Sequence, residues 1–379
     1  MYKGKGEFSE RGREPFAATK GGAGGWLVDQ GRARMMALIV AATAVAAMAA
    51  PPCLSLVTWN ILAPAYASPS KFTWASSDAL AWERRQQRIV RRLQEIDADV
   101  VCLQEVEVAL WDAFSEQLSR FGYDGILQDT GSHPIANAVL LRRGLLEPVR
   151  CESRSRALIV VARASSGAPP LYIGNVHLEA GAEKGATRYA QLRSLLRRIE
   201  LQRAIDAAAE QGRPRSLSPS TDAAGASVVL AGDFNFDRSA ELHTFLARGT
   251  PPGARTGRKP AMRKLGSASA LLPLQDAYLG RPPPWGPTLR SSYRNGRLLD
   301  FVWASSNVDV MRTMPVCDLA GSTQPHQLPS HDHPSDHLPI GALLSWPGAP
   351  EGMPSSGRPA WQQLFVENVQ RQRSDGRRR

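Results

Sequence analysis

The chain of 379 residues is 43% hydrophobic and 21% charged, a balance that allows a sizeable buried core and excludes a wholly disordered, coiled-coil or polytopic membrane protein. Its formal net charge is +11, of which residues 1–34, with seven Lys/Arg against four Asp/Glu, and residues 351–379, with six against three, contribute +3 each. Basicity concentrated in tails fits either solvated ends or a polyanionic partner, such as nucleic acid or an anionic membrane surface.

Residues 1–34 read as a disordered basic extension. Residues 35–51 follow as an Ala-rich apolar segment, in which Met35–Ala50 (MMALIVAATAVAAMAA) is preceded by Arg32 and Arg34 and followed by Pro51 and Pro52. Its sixteen residues fall short of the ~20 that a membrane span needs. The pattern is that of a leader's apolar region, yet it begins 35 residues in. A leader starting at Met35 or Met36 implies an organellar or secretory location; a plain Ala-rich helix leaves the cytoplasm or nucleus.

Residues 52–347 carry the pattern of one folded domain. Strand-length apolar runs occur at Leu54–Ile61, Val100–Val106, Ala138–Leu141, Leu158–Ala162, Leu171–Leu178, Val228–Ala231, Leu299–Trp303 and Leu338–Leu344. Between them, Trp82–Ile96 places Trp82, Ile89, Leu93 and Ile96 near one helical face, with Arg84, Arg85, Arg88, Arg91 and Arg92 covering the rest. Longer helical spacing runs through Tyr189–Ala208, and a shorter helix is predicted at Ala240–Leu246. Strands buried on both faces with helices outside predict a layered α/β sandwich. Residues 348–379 read as a second disordered basic tail.

Polar residues that interrupt or end apolar strands mark the chemistry, because burying a carboxylate or amide without a partner costs several kcal/mol. They are Thr58–Trp59–Asn60, Gln104–Glu105 closing VVCLQEVE, His177 ending LYIGNVHL, Asp233 and Asn235 ending VVLAGDFN, Asp300 in RLLDFVW, and Asp336–His337 opening SDHLPIGALL. Side chains at i and i+2 share a strand face, which pairs Asp233 with Asn235 and Asn175 with His177. The collection is hard-oxygen ligands plus histidines without thiolates, which suits Mg²⁺, with Mn²⁺ able to substitute, and in-line attack at phosphorus; zinc is less suited. Cys53, Cys102, Cys151 and Cys317 lie far apart with no Cys-x-x-Cys, and Cys102 is expected in the core. His326, His331 and His333 have a spacing that fits no fixed secondary structure, so no metal site is assigned to them.

In order, TWNIL, DADVVCLQEVE, GNVHLEAG, VVLAGDFN, LLDF and SDHLPI resemble the endonuclease/exonuclease/phosphatase superfamily from Leu54 to about Leu344. The resemblance implies a four-layer α/β sandwich, two packed mixed β-sheets flanked by helices, and divalent-metal hydrolysis of phosphoesters. Position by position it implies Glu105 as the principal metal carboxylate, with Asn60 and Asp336 completing the metal set. It implies Asp233 as the group that orients or deprotonates water, and Asn235 as holding that water and a phosphoryl oxygen. Asp300 would orient His337, which would donate to a phosphate oxygen, and His177 would serve the phosphate or the leaving group. Arg188 and Gln191, in RYAQL, resemble a recurring pair behind that histidine, or stand as plain surface residues.

The substrate is less sharply marked. TWNILAPAYASPSKFTWASSDALAWERRQQRIVRRLQEIDADVVCLQEVE, with GYDGI after it, resembles carbon-catabolite-repression-type deadenylases, although the long middle insertion usual there is missing. HLEAGAEKGATRYAQL resembles tyrosyl-DNA phosphodiesterases as well. A 3′–5′ RNA exonuclease is therefore expected, against a tyrosyl-DNA phosphodiesterase-like repair enzyme or an inositol-phosphate or sphingomyelin phosphodiesterase. Arg255, Arg258, Lys259, Arg263 and Lys264 could neutralise backbone phosphates, and Trp74, Trp285 and Tyr293 could stack on the bases of single-stranded RNA or DNA. The catalytic domain is expected to act as a monomer, and no protein partner is indicated.

Overall fold

A computed structural model describes residues 52–164, 168–210, 227–250, 272–280, 298–314 and 328–350. The two tails up to residue 51 and from residue 351, the basic loop with Arg255 to Lys264, and Trp285, Tyr293, Cys317 and His326 lie outside the described residues.

Twelve described strands form two six-stranded sheets. The first sheet contains β1 (Leu54–Asn60), β2 (Val100–Glu107), β3 (Tyr123–Leu127), β4 (Ile135–Arg142), β11 (Asp309–Thr313) and β12 (Ile340–Ser345), in the order β11-β12-β1-β2-β4-β3. The second contains β5 (Glu147–Arg154), β6 (Ala157–Arg163), β7 (Leu171–His177), β8 (Ser227–Asp233), β9 (Leu274–Asp276) and β10 (Asp300–Ser305), in the order β5-β6-β7-β8-β10-β9. The β1–β2 and β7–β8 pairs are parallel and their neighbours antiparallel, so both sheets are mixed.

Three apolar layers make the sandwich. Leu56, Val100, Cys102, Val139, Val160, Ile173, Val229, Val302 and Ile340 fill the space between the sheets. Outside the first sheet, α2 (Trp82–Ile96) and α3 (Trp111–Ser119) set Ile89, Leu93, Phe114 and Leu118 against Val57, Trp59, Val101 and Leu103. Outside the second, α4 (Gly185–Glu210) and α5 (Glu241–Arg248) set Leu192, Leu196, Ile199 and Phe245 against Ile159, Tyr172, Val228 and Leu230. A short α1 (Ser77–Leu80) precedes α2 and is capped by the Ser76 hydroxyl, which accepts from Ala79 N. Helix–sheet–sheet–helix is the four-layer arrangement expected. Among the described residues no helix is long and apolar enough to cross a membrane.

Strand period places the functional residues. In β1 Leu54 and Leu56 face the central layer, so Thr58 and Asn60 follow on the same face; in β8 Val229 and Ala231 lead to Asp233, and in β7 Leu171 and Ile173 lead to Asn175 and His177. Register then aligns them across strands: Asn60 pairs with Gln104, His177 with Asp233, and Asp233 with Asp300.

Gly232 is a fixed point of this register. Its φ is +149°, and a Cβ there would lie 1.9 Å from the Val176 carbonyl oxygen of the neighbouring strand. Gly232→Ala should therefore lower stability on the order of 2–5 kcal/mol, through backbone strain plus overpacking, in a chemical denaturation measurement.

Candidate active site

Glu105 reaches the site by breaking the strand pattern that delivers its neighbours. Val101 and Leu103 face the outer layer, so simple alternation would send Glu105 outward too. Instead the pairing of β2 with β4 shifts between Leu103 and Val106, and Glu105 takes a left-handed φ of +59°. Such a bulge re-aims a side chain at the cost of local strain. The carboxylate then meets two donors: Asn60 Nδ2 to Oε1 at 3.0 Å and the Ala63 backbone N to Oε2 at 3.0 Å.

The same Asn60 amide nitrogen donates to Asp233 Oδ2 at 3.2 Å, so carboxylates from both sheets converge on one amide. His177 Nε2 stands 3.9 Å from Glu105 Oε1 and 3.8 Å from Asp233 Oδ2, while His337 Nε2 lies 3.7 Å from Asp233 Oδ2. The other Asp233 oxygen accepts from Asn235 N at 2.9 Å. Asn235 sits past the end of β8 with φ +53°, and its amide donates to Leu178 O at 2.9 Å. A turn bonded to Asp233, rather than the strand-face pairing expected for Asp233 and Asn235, places it beside the site.

His337 is buried and its Nδ1 is 2.9 Å from Asp300 Oδ2. Burial pulls its pKa down, but the charges of Asp300 and then Asp233 outweigh this, and the imidazole is held well above its ordinary 6.5. Asp336 shifts upward, first through burial and then through the charge of Glu105, opposed by His337. It makes no hydrogen bond or ion pair with another described side chain; its link to Glu105 is electrostatic. The His337 loop is pinned to β1 by the Trp59 indole, donating to His337 O at 2.8 Å, and by Ser335 Oγ, donating to Asn60 O at 2.6 Å.

The expected residues thus fall around one rim, with Asn60, Glu105, Asp233, His177, His337 and Asp300 linked atom by atom. The expected metal set was Asn60, Glu105 and Asp336; by ligand-atom spacing alone, Asp233, Asp300 and His337 lie within 4.8 Å of one another. The hydrogen bond between Asp300 and His337 occupies that second group, which makes it a proton-holding pair rather than a cation cage. Glu105 and Asp233, drawn to one neutral amide, fit a divalent cation on the Glu105 side, where hard oxygens gather and the His337 imidazole reaches Asp233 instead.

The role of Arg85 was not read from the sequence. Arg85, expected on the solvent face of α2, is fully buried, with burial lowering its pKa to about 10 against the opposing charges of Asp336 and Glu105. Of the two readings of Arg188 and Gln191, the pair behind His177 is the one found: the buried Arg188 guanidinium donates to Glu179 O at 2.9 Å and Gly181 O at 2.6 Å, while Gln191 Oε1 accepts from Glu179 N at 3.1 Å. The pair braces the loop that follows His177. A cleft of about 440 Å³ opens beside His177 and is lined by Tyr66, Thr130, His133, Arg154 and Arg156 among others. Trp74 packs edge-on against Phe72 with ring centres 5.6 Å apart. His331 is exposed beside Asp332, and neither it nor His333 joins a cluster of metal-ligating groups among the described residues.

A family model described as "Endonuclease/Exonuclease/phosphatase family" matches residues 57–337, which span every site residue above. This chain belongs to that family. It is accordingly a hydrolase acting on phosphoester bonds. It is 25% identical over 325 residues to Nocturnin of Homo sapiens, covering 80% of this chain and 67% of that protein. A shorter stretch of 74 residues, 19% of this chain and 9% of the other, is 34% identical to the CCR4-Not complex 3′-5′-exoribonuclease subunit Ccr4 of Neurospora crassa. Among solved structures, that of ANGEL2, described as a 2′,3′-cyclic phosphatase in complex with adenosine-2′,3′-vanadate, matches with a TM-score of 0.58 at 21% identity, over 77% of this chain and 95% of that one.

The Asp300–His337 pair has a checkable acid–base signature. In the metal-free protein the His337 imidazole should titrate well above 6.5 by NMR, and Asp300→Asn should bring it down. Because the folded pKa is the higher one, the stabilisation it brings is complete below the unfolded value and is lost as pH rises through the raised folded value.

Proposed function

We propose that this chain is a Mg²⁺-dependent phosphodiesterase, with Mn²⁺ able to substitute, acting on nucleic acid as a 3′–5′ RNA exonuclease resembling the deadenylases. The observation that carries the reading is the convergence of Glu105 and Asp233, from opposite sheets, on the Asn60 amide with two histidines against the same oxygens. A divalent ion held by Glu105, Asn60 and Asp336 would supply neutralisation of charge on a non-bridging phosphoryl oxygen. Asp233 Oδ2, whose partner oxygen is occupied by Asn235 N, takes the proton of the attacking water. Asn235, with one amide proton committed to Leu178, keeps Oδ1 to hold that water. His337, charged and oriented by Asp300, donates to the phosphoryl oxygen as negative charge builds, and His177 faces the phosphate or the departing oxygen.

The RNA reading is supported by the deadenylase-like N-terminal third and by the likeness to Nocturnin and the Ccr4 exoribonuclease subunit. The cleft beside His177 is roomy enough for a nucleotide, and it offers one exposed ring, Tyr66, and two guanidinium groups, although Arg156 already pairs with Glu179 at 2.5 Å. The structural likeness to ANGEL2 adds the 2′,3′-cyclic phosphate end of RNA to the substrates worth testing.

Two experiments test this reading. Purified full-length protein with Mg²⁺ should degrade poly(A) from its 3′ end in preference to single-stranded DNA, 5′-tyrosyl DNA, adenosine 2′,3′-cyclic phosphate, inositol phosphates and sphingomyelin, and excess chelator should abolish the activity. Full activity in chelator would refute metal dependence, and preference for another member of the panel would reassign the substrate. In steady-state kinetics, Asp300→Asn and His337→Ala should each lower kcat on the order of 10²–10⁴-fold with little change in KM. The double variant should be little worse than the poorer single, because the two act as one unit.

A further inference from the structure

We infer that Arg85 is a positioning residue: its guanidinium locks the loop after β1, on the Asn60 and Glu105 side of the site, to the loop before β12 that carries Asp336 and His337. The inference rests on the phosphodiesterase reading of this site. Every guanidinium nitrogen is engaged by backbone carbonyls. Nε donates to Leu80 O at 3.2 Å, Nη1 to Ile61 O at 3.0 Å and to Pro334 O at 2.9 Å, and Nη2 to Leu62 O at 2.7 Å. One nitrogen, Nη1, therefore bridges two segments that lie far apart in sequence.

Both segments carry site residues directly. Leu62 holds a left-handed φ of +58°, its N donates to Asn60 Oδ1 at 3.0 Å, and the next residue, Ala63, donates its N to Glu105 Oε2. Pro334 immediately precedes Ser335, Asp336 and His337. The strained bend at Leu62 and the His337 loop thus share one rigid planar fork, and a shift of either loop would break a hydrogen bond of the other.

Arginine chemistry is needed for this. A planar guanidinium presents its donors in fixed directions, whereas a lysine ammonium is a point charge on a flexible stem. Among the described residues no carboxylate lies within ion-pair distance of Arg85, and the anionic groups whose fields act on it are Asp336 and Glu105. A cation enclosed by carbonyl oxygens is thereby aimed at the two carboxylates its loops bring together. The neutral ties from Trp59 and Ser335 hold the same loop independently, so loss of Arg85 should leave a folded chain with a loosened site.

The test compares the full-length chain with Arg85→Gln and Arg85→Lys. Bis(p-nitrophenyl) phosphate hydrolysis with Mn²⁺ gives kcat and KM, calorimetric titration gives Mn²⁺ affinity, and hydrogen exchange follows residues 61–63 and 334–337. Arg85→Gln should lower kcat and Mn²⁺ affinity by about 10–100-fold, the range for groups that orient metal ligands, with KM nearly unchanged. Both loops should lose exchange protection together while the sheets keep theirs. Arg85→Lys, which keeps the charge without the fork, should show a smaller loss of the same kind. Wild-type kcat and Mn²⁺ affinity in folded Arg85→Gln, or lost protection confined to α2, would overturn the inference. If Arg85→Gln does not fold, wild-type behaviour of Arg85→Lys overturns it instead. A wild-type chain that hydrolyses no phosphodiester would defeat the reading of the site, and the paired loss of protection would still decide the role of Arg85.

Discussion

The site exists only if two sheets, free in principle to slide over a greasy interface, are held in one register, and a buried amide pair does this. Gln104 of β2 donates from Nε2 to Asn175 Oδ1 of β7 at 2.7 Å and to Thr58 Oγ1 of β1 at 2.9 Å. Asn175 answers from Nδ2 to Leu103 O at 2.9 Å and to Ala138 O at 2.8 Å. Both side chains are fully enclosed, so any sliding of the sheets would strand several polar groups in an apolar layer, at about 1–3 kcal/mol for each. Apolar contacts tolerate small displacements; this network does not. Gln104 directly precedes Glu105 and Asn175 lies two residues before His177, so the tie acts within one residue pair of the chemistry it positions.

Registered sheets bring strand ends together, and the final placement is made by backbone that leaves the regular pattern. Of the four described non-glycine residues with positive φ, three flank the site: Leu62, Glu105 and Asn235. Each such conformation costs on the order of 1–3 kcal/mol and persists only where its surroundings over-determine it. Here they do. Glu105 is held by Asn60 and Ala63, Asn235 by Asp233 and Leu178, and the Leu62 bend by Asn60 and Arg85. The strain and the catalytic geometry share their supports, which is why the framework must be stiff.

This division explains what the sequence disclosed. Central strands buried on both faces are near-continuous apolar runs, so β1, β2, β7 and β8 were legible, and a polar residue ending each one stood out. The edge strand β5 was not, because five of its eight residues are exposed and it alternates Val149 and Cys151 with Arg and Glu in no apolar run. Two-residue periodicity was a correct guide to Asn60, His177 and Asp233. It misleads for Glu105 and Asn235, where a bulge and a turn intervene. Arg85 was hidden for a different reason: a guanidinium that caps backbone carbonyls leaves no partner side chain in the sequence to betray it. Only the Trp-x-x-Arg start of α2 set Arg85 apart from Arg84 and Arg88, which reach Asp78 at the surface.

Charge closes the argument about what the site can accept. Glu105, Asp233, Asp300 and Asp336 surround a small volume in a protein whose formal net charge is +11, so the positive surplus lies elsewhere and the rim itself repels a phosphate. Three of the four carboxylates face the His337 imidazole, Asp300 and Asp233 most strongly and Asp336 less so. Arg85 supplies a further positive charge from behind, toward Glu105 and Asp336. Glu105 and Asp233 share the neutral Asn60 amide, and His177 Nε2 stands within 4 Å of both. A divalent cation on the Glu105 side would offset the carboxylate charge that the rim presents to a phosphate.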